Sequence, residues 1–270
     1  MSPADWENTE GDAIMPPMAS KAKPRRIRKK DVPVQPVDSS YWQATREPMA
    51  CLVFLLPLVV AYEMGALMLR PEVWPEQRLI AQSFIQKLVA WFGTDAFWVP
   101  GAALIITLLA WQFLSQSPWK LRGWVPPLMI VESLVLTIPL FVLGRLALQA
   151  LDTGAFDRQM RIQIVLALGA GVYEELVFRF YLITGLVALL TAGMKMPRQI
   201  AIATAVVAGA LLFAICHFTP IGSEPFRWPI FFMFFTAGGY LATIFVLRGL
   251  GVSTGCHAAF NLITLILASE

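Results

Sequence analysis

Long apolar runs separated by short polar ones dominate the chain. Seven lie at about 49–69, 97–115, 126–149, 162–190, 199–218, 229–248 and 252–268. A helix crosses the hydrocarbon of a bilayer with roughly 20 residues, and about 17 suffice. The pattern therefore predicts an all-α fold, a polytopic membrane helix bundle of about seven transmembrane helices. Between residues 79 and 92 the pattern is narrower. Leu79, Ile80, Phe84, Ile85, Leu88 and Val89 recur at helical spacing, with Gln82, Gln86 and Lys87 between them. That stripe predicts an amphipathic helix lying on the surface. Residues 1–45 are polar and proline-rich and predict a disordered tail. Three regions follow: the tail at 1–45, N-terminal transmembrane helices at 46–160, and a helical core at 161–270.

Composition agrees with a membrane protein. Hydrophobic residues make up 57% of the 270 and charged residues only 14%, which excludes an ordinary soluble domain. The net charge of +3 comes from a cluster in the tail, Lys21, Lys23, Arg25, Arg26, Arg28, Lys29 and Lys30. The cluster is separated from the first apolar run by Pro33, Pro36 and a polar segment, so the N-terminus is not a signal peptide. It acts instead as a topology determinant or a contact for anionic lipid, and no nucleic-acid partner is expected. Placed inside, the tail joins Arg46, Lys120, Arg122, Lys195, Arg198 and Arg248. The outer side then holds Arg70, Arg78, Lys87, Arg158, Arg161 and Arg227. The positive-inside rule thus predicts a cytoplasmic N-terminus and an outer C-terminus, in a bacterial-type inner or plasma membrane. Cys51, Cys216 and Cys256 are odd in number and lie in apolar runs, so no disulfide framework is indicated.

Charges at membrane depth are costly and mark functional candidates. The strongest group is Glu174-Glu175-Leu176-Val177-Phe178-Arg179, inside the fourth run. Glu175 and Arg179 are four apart on a helix and can pair. Glu174 points about 100° away and has no arginine of its own, which suits a general base. An architectural ion-pair cluster is the competing reading. Glu63, Glu132 and Arg145 are also intramembrane. Arg145 sits near a helix end and can snorkel, while Glu63 and Glu132 are expected to find partners on neighbouring helices. Gly251 and Gly255 form a GxxxG pattern, and Gly238-Gly239 lies mid-helix; close helix packing accounts for both.

The chain has two histidines. His217 ends the fifth run in Phe213-Ala214-Ile215-Cys216-His217. His257 opens the last in His257-Ala258-Ala259-Phe260-Asn261, one turn from Asn261. Both fall in the same half of the chain as Glu174, which points to a shared polar cavity. The order EExxxR, FxxxH, HxxxN, each on its own membrane helix, resembles the CPBP family of intramembrane proteases. That family includes the type II CAAX prenyl endopeptidases and the bacterial Abi proteins, and the likeness covers about 160–268.

The resemblance implies an intramembrane endopeptidase that cleaves a membrane-associated, lipidated or exported peptide. It implies that Glu174 activates water, that His217 holds the water or shuttles its proton, and that His257 and Asn261 stabilise the oxyanion. Glu175 and Arg179 would position the site. No cofactor is favoured. Zinc remains the alternative, with Glu174, His217 and His257 as ligands. A non-enzymatic immunity protein or a proton-coupled transporter is the competing function, and Asn261 discriminates, because a proton relay has no need of an amide there. The seven-helix order places His217 near the outer side and His257 near the inner side. Their meeting requires tilted or broken helices, and the glycines at 251 and 255 suggest a broken entry to the last helix.

Overall fold

The computed structural model describes residues 41–68, 99–148, 160–218 and 224–268. The amphipathic stretch at 79–92 and the basic cluster of the tail lie outside them. Among the described residues nearly all are helical and none forms a strand; Phe218 and Glu224 make one isolated bridge. The seven apolar runs appear as rods: α2 (Pro48–Met68) after a single turn α1 (Tyr41–Ala44), α3 (Val99–Ser115), α4 (Val125–Leu148), a rod opening with α5 (Met160–Glu174), then α7 (Arg198–Cys216), α8 (Trp228–Arg248) and α9 (Leu250–Ala268). Six are long and apolar enough to cross a membrane, and α3 is shorter. Apolar side chains such as Val60, Val131, Val135, Ile138 and Val207 are exposed on the outside of the bundle. This suits a lipid solvent, where helices satisfy their own backbone groups.

The fourth rod is not a uniform α-helix. After α5 it runs as π-helix through Glu175–Ile183, returns to α over a short α6 (Thr184–Ala188), and widens again at Leu189–Gly193. Such i→i+5 turns are rare and recur at functional sites. The first begins at Glu175, between the two adjacent glutamates.

Three polar contacts set the rods' heights. Tyr173 on α5 donates to Glu63 on α2, and Tyr62 packs its ring edge-on to Tyr173 at 5.2 Å. Arg248, the last residue of α8, forms a two-pronged pair with Glu132 on α4 and lies 3.8 Å over the Trp42 ring. Tyr41 donates to the same carboxylate at 2.7 Å. Burial and that carboxylate push the Tyr41 hydroxyl above its ordinary pKa, so it keeps the proton it donates. Glu63 and Glu132 thus have partners on neighbouring helices.

The α8–α9 turn is a single residue, Gly249, at φ 88°, in the left-handed region that glycine adopts without cost. The Arg248–Glu132 pair fixes its level. Gly251 packs on Met129, four residues or about 6 Å into α4 from Val125 at 1.5 Å per residue, so the turn lies close to that end of the bundle. The expected break at 251–255 does not occur: α9 is continuous from Leu250. Its glycines serve contact instead. A Cβ on Gly251 would collide with Met129, and one on Gly255 with Ser133, both on α4. His257 reaches the middle of the bundle because it stands eight residues beyond Gly249 on a continuous helix, about 12 Å at 1.5 Å per residue.

Candidate active site

Three membrane helices bring the six candidate residues together. Glu174 ends α5 and Glu175 opens the π-turn. His217 caps the C-terminus of α7. His257 and Asn261 sit one turn apart in α9. The equal arms of a hairpin account for part of this. Glu174 precedes the rod's last residue, Gly193, by as many positions as His217 follows Arg198, so the two stand level when the helices pack antiparallel. The approach of α9 depends on Gly171, where a Cβ would lie 2.8 Å from the Ala258 backbone. No larger residue fits there without parting α5 from α9.

The two acids are used differently. Glu175 is fully buried. Its Oε1 lies 3.4 Å from Arg179 Nη1 and 2.9 Å from His257 Nδ1. Arg179 also reaches the Gly238 carbonyl at 3.5 Å and lies 4.2 Å over the Phe213 ring. Glu174 faces the other way, and among the described residues no arginine comes within pairing distance of it. Its Oε2 is 3.9 Å from His217 Nε2 and 3.9 Å from His257 Nε2.

The histidines are held by their other nitrogens. His217 Nδ1 lies 2.7 Å from the Phe213 carbonyl. A carbonyl only accepts, so Nδ1 carries the hydrogen. His257 Nδ1 likewise donates to Glu175, and both Nε2 atoms therefore face Glu174. The Phe234 ring stacks on His217 at 4.0 Å and 25°, while Phe213 lies at 4.5 Å. Asn261 donates to the Ala167 carbonyl at 3.3 Å with one of its two amide hydrogens.

Glu174, His217, His257 and Asn261 line one cavity of about 170 Å³. The rest of its wall is apolar, from Leu140, Leu143 and Gly144 on α4, Met233 and Ala237 on α8, and Phe260 on α9. Glu175 and Arg179 lie behind this wall. Phe234 and Gly171 carry no sequence signal, since an aromatic and a glycine in membrane helices are unremarked.

The donor spacing is wide for a tetrahedral zinc. Ligands on one tetrahedral zinc stand about 3.3 Å apart, given bonds of roughly 2.0–2.1 Å. Glu174 Oε2 is 3.9 Å from each Nε2. Among the described residues no three His, Cys, Asp or Glu side chains are grouped closely enough to hold a metal ion.

Residues 158–263 match the family model of type II CAAX prenyl endopeptidase Rce1-like proteins. No curated protein and no solved structure matches the chain.

Proposed function

We propose that this chain, whose residues 158–263 belong to the type II CAAX prenyl endopeptidase family, is an intramembrane endopeptidase with Glu174 as its base. The observation that carries the reading is the convergence of two histidine Nε2 atoms on Glu174 Oε2, at 3.9 Å each. A water oxygen fits that gap at about 2.8 Å from its neighbours. Glu174 takes a proton from this water as its oxygen attacks the peptide carbonyl carbon. The tetrahedral oxyanion receives hydrogen bonds from the second amide hydrogen of Asn261 and from His257, protonated on Nε2 and backed by Glu175. One such donor lowers the barrier by about 3 kcal/mol. The proton then passes through Glu174 or His217 to the leaving amine as the C–N bond breaks. His217 Nε2 is free to relay it because Nδ1 is engaged with Phe213.

Spacing of the donors favours a metal-free reaction, and the apolar cavity wall favours a peptide presented within the bilayer or at its surface. Hydrolysis is tested directly in water labelled with oxygen-18. Purified protein is incubated with solubilised membrane proteins, and new peptide termini are read by mass spectrometry. New C-terminal carboxylates carrying the label, absent with Glu174→Gln, support the reading. No labelled terminus from a folded preparation contradicts it.

A further inference from the structure

Glu63 is a carboxylate within an apolar spanning helix, where a charge is costly, yet it does not line the cavity. Donors from two further helices meet on it. Tyr173, the residue before Glu174, is fully buried and donates its hydroxyl to Glu63. The backbone N–H of Gly101, in the first turn of α3, donates to the same carboxylate. A Cβ on Gly101 would lie 2.6 Å from Glu63 Oε1, so the absence of a side chain there is what lets α3 come this close.

The rod is tied to α3 again beyond Arg179. Phe180 meets Trp111 of α3 at 5.3 Å between rings, and Tyr181 shares a hydrogen bond with Thr107 of α3. The stretch from Glu174 to Arg179 is therefore anchored to α2 and α3 on both sides, although neither of those helices contributes a residue to the cavity. Apolar contact sets how close the helices stand: a Cβ on Gly65 of α2 would collide with Val165 of α5. Such contact is non-directional and restrains rotation of α5 about its axis less than a hydrogen bond, which is directional. The bond to Glu63 fixes the azimuth of Tyr173, and with it that of Glu174, one residue and about 100° further round. Side-chain tips stand about 5–6 Å from a helix axis, so a turn of about 10° moves the Glu174 carboxylate by roughly 1 Å. A misplacement of that size can cost about 100-fold in rate.

We infer that Glu63 and Tyr173 are positioning residues: their hydrogen bond, seated on the first turn of α3, sets the rotation of α5 that points Glu174 at the two histidines. Neither residue touches the reacting atoms. The inference rests on the protease reading for its effect on rate, while the direction of Glu174 is read without it.

The test separates positioning from catalysis and from stability. The chain has only two histidines, and the Nε2 atoms of both face Glu174. Histidine labelled with nitrogen-15 therefore gives two imidazole signals that report the direction of Glu174 without any cleavage. Tyr173→Phe removes the hydroxyl and keeps the ring that packs against Tyr62. Glu63→Gln leaves one acceptor oxygen for two donors. Gly101→Ala drives a methyl against the carboxylate. Each variant should move both imidazole signals and lower kcat about 10-fold, with KM nearly unchanged because the cavity lining is intact. The double variant at Glu63 and Tyr173 should be no slower than the slower single one, since residues acting through one bond are not additive. Tyr41→Phe takes a hydroxyl from Glu132, a carboxylate away from the cavity. It should lower the unfolding midpoint and leave the imidazole signals and kcat as they were. If folded Tyr173→Phe and Glu63→Gln match the parent in imidazole signals or in kcat, the inference is overturned, as it is if Tyr41→Phe moves the signals equally. If the parent gives no labelled terminus in oxygen-18 water, the protease reading fails, and the imidazole signals still decide whether the pair directs Glu174.

Discussion

His257 Nδ1 lies 2.9 Å from Glu175 Oε1, and the same ring turns its Nε2 toward Glu174. One imidazole therefore bridges an acid paired with Arg179 and an acid with which no arginine pairs among the described residues. Adjacent residues acquire different chemistry because the helix points them apart, and the π-turn begins between them.

The buried Glu175–Arg179 pair makes the first prediction. Both side chains are almost fully buried, so removing one partner strands the other. Arg179→Met should cost about 3–5 kcal/mol of stability, read as a lowered thermal unfolding midpoint in detergent. The double variant with Glu175→Gln should recover part of that loss but not activity. A stable single variant would mean that the pair contributes little.

Close approach of α5 and α9 makes the second. Gly171→Ala sets a methyl 2.8 Å from the Ala258 backbone and should cost about 1–3 kcal/mol as overpacking. Cleavage should fall further than stability alone explains, because His257 moves with Ala258. Equal activity per folded molecule would contradict the packing account.

The Phe234 ring makes the third. Stacked on His217, it fixes the plane of the imidazole. Phe234→Leu should lose about 0.5–1.5 kcal/mol of that contact, which is roughly 2- to 10-fold in kcat. Phe234→Tyr should restore the rate. A leucine variant as fast as the parent would remove Phe234 from the account.

Rate against pH makes the fourth. Glu174 works as a base only when ionised, so activity falls as pH falls. The expected profile of kcat/KM falls on the acid side. A rate that stays flat on the acid side down to unfolding would rule out Glu174 as the base.

Removal of metal makes the fifth. Prolonged dialysis against a chelator should leave the rate unchanged, in keeping with donor distances of 3.9 Å. Loss of activity that zinc alone restores would reassign Glu174, His217 and His257 as ligands.

Much of this was legible in the chain because membrane helices follow hydropathy. Each expected span agrees with a rod to within a few residues, since no lipid-facing segment can leave its backbone unpaired. The divergence of Glu174 from Glu175 was readable from helical geometry alone. The heights of the rods were not. Their levels depend on Arg248 finding Glu132, residues 116 positions apart, and pairings at such separation leave no local pattern. For the same reason the glycines at 251 and 255 suggested a broken helix, when their small size is used against Met129 and Ser133. The π-turn at Glu175 had no signal, because its residues read as an ordinary apolar helix.

The most direct measurement compares peptide termini in membrane and exported fractions of cells carrying the unsubstituted chain or Glu174→Gln at matched levels. The substitution keeps the size of the side chain and removes the base. Specific precursors should accumulate uncut in the variant, with their mature termini lost. If the variant folds, inserts and changes no terminus, Glu174 is not the base of a protease.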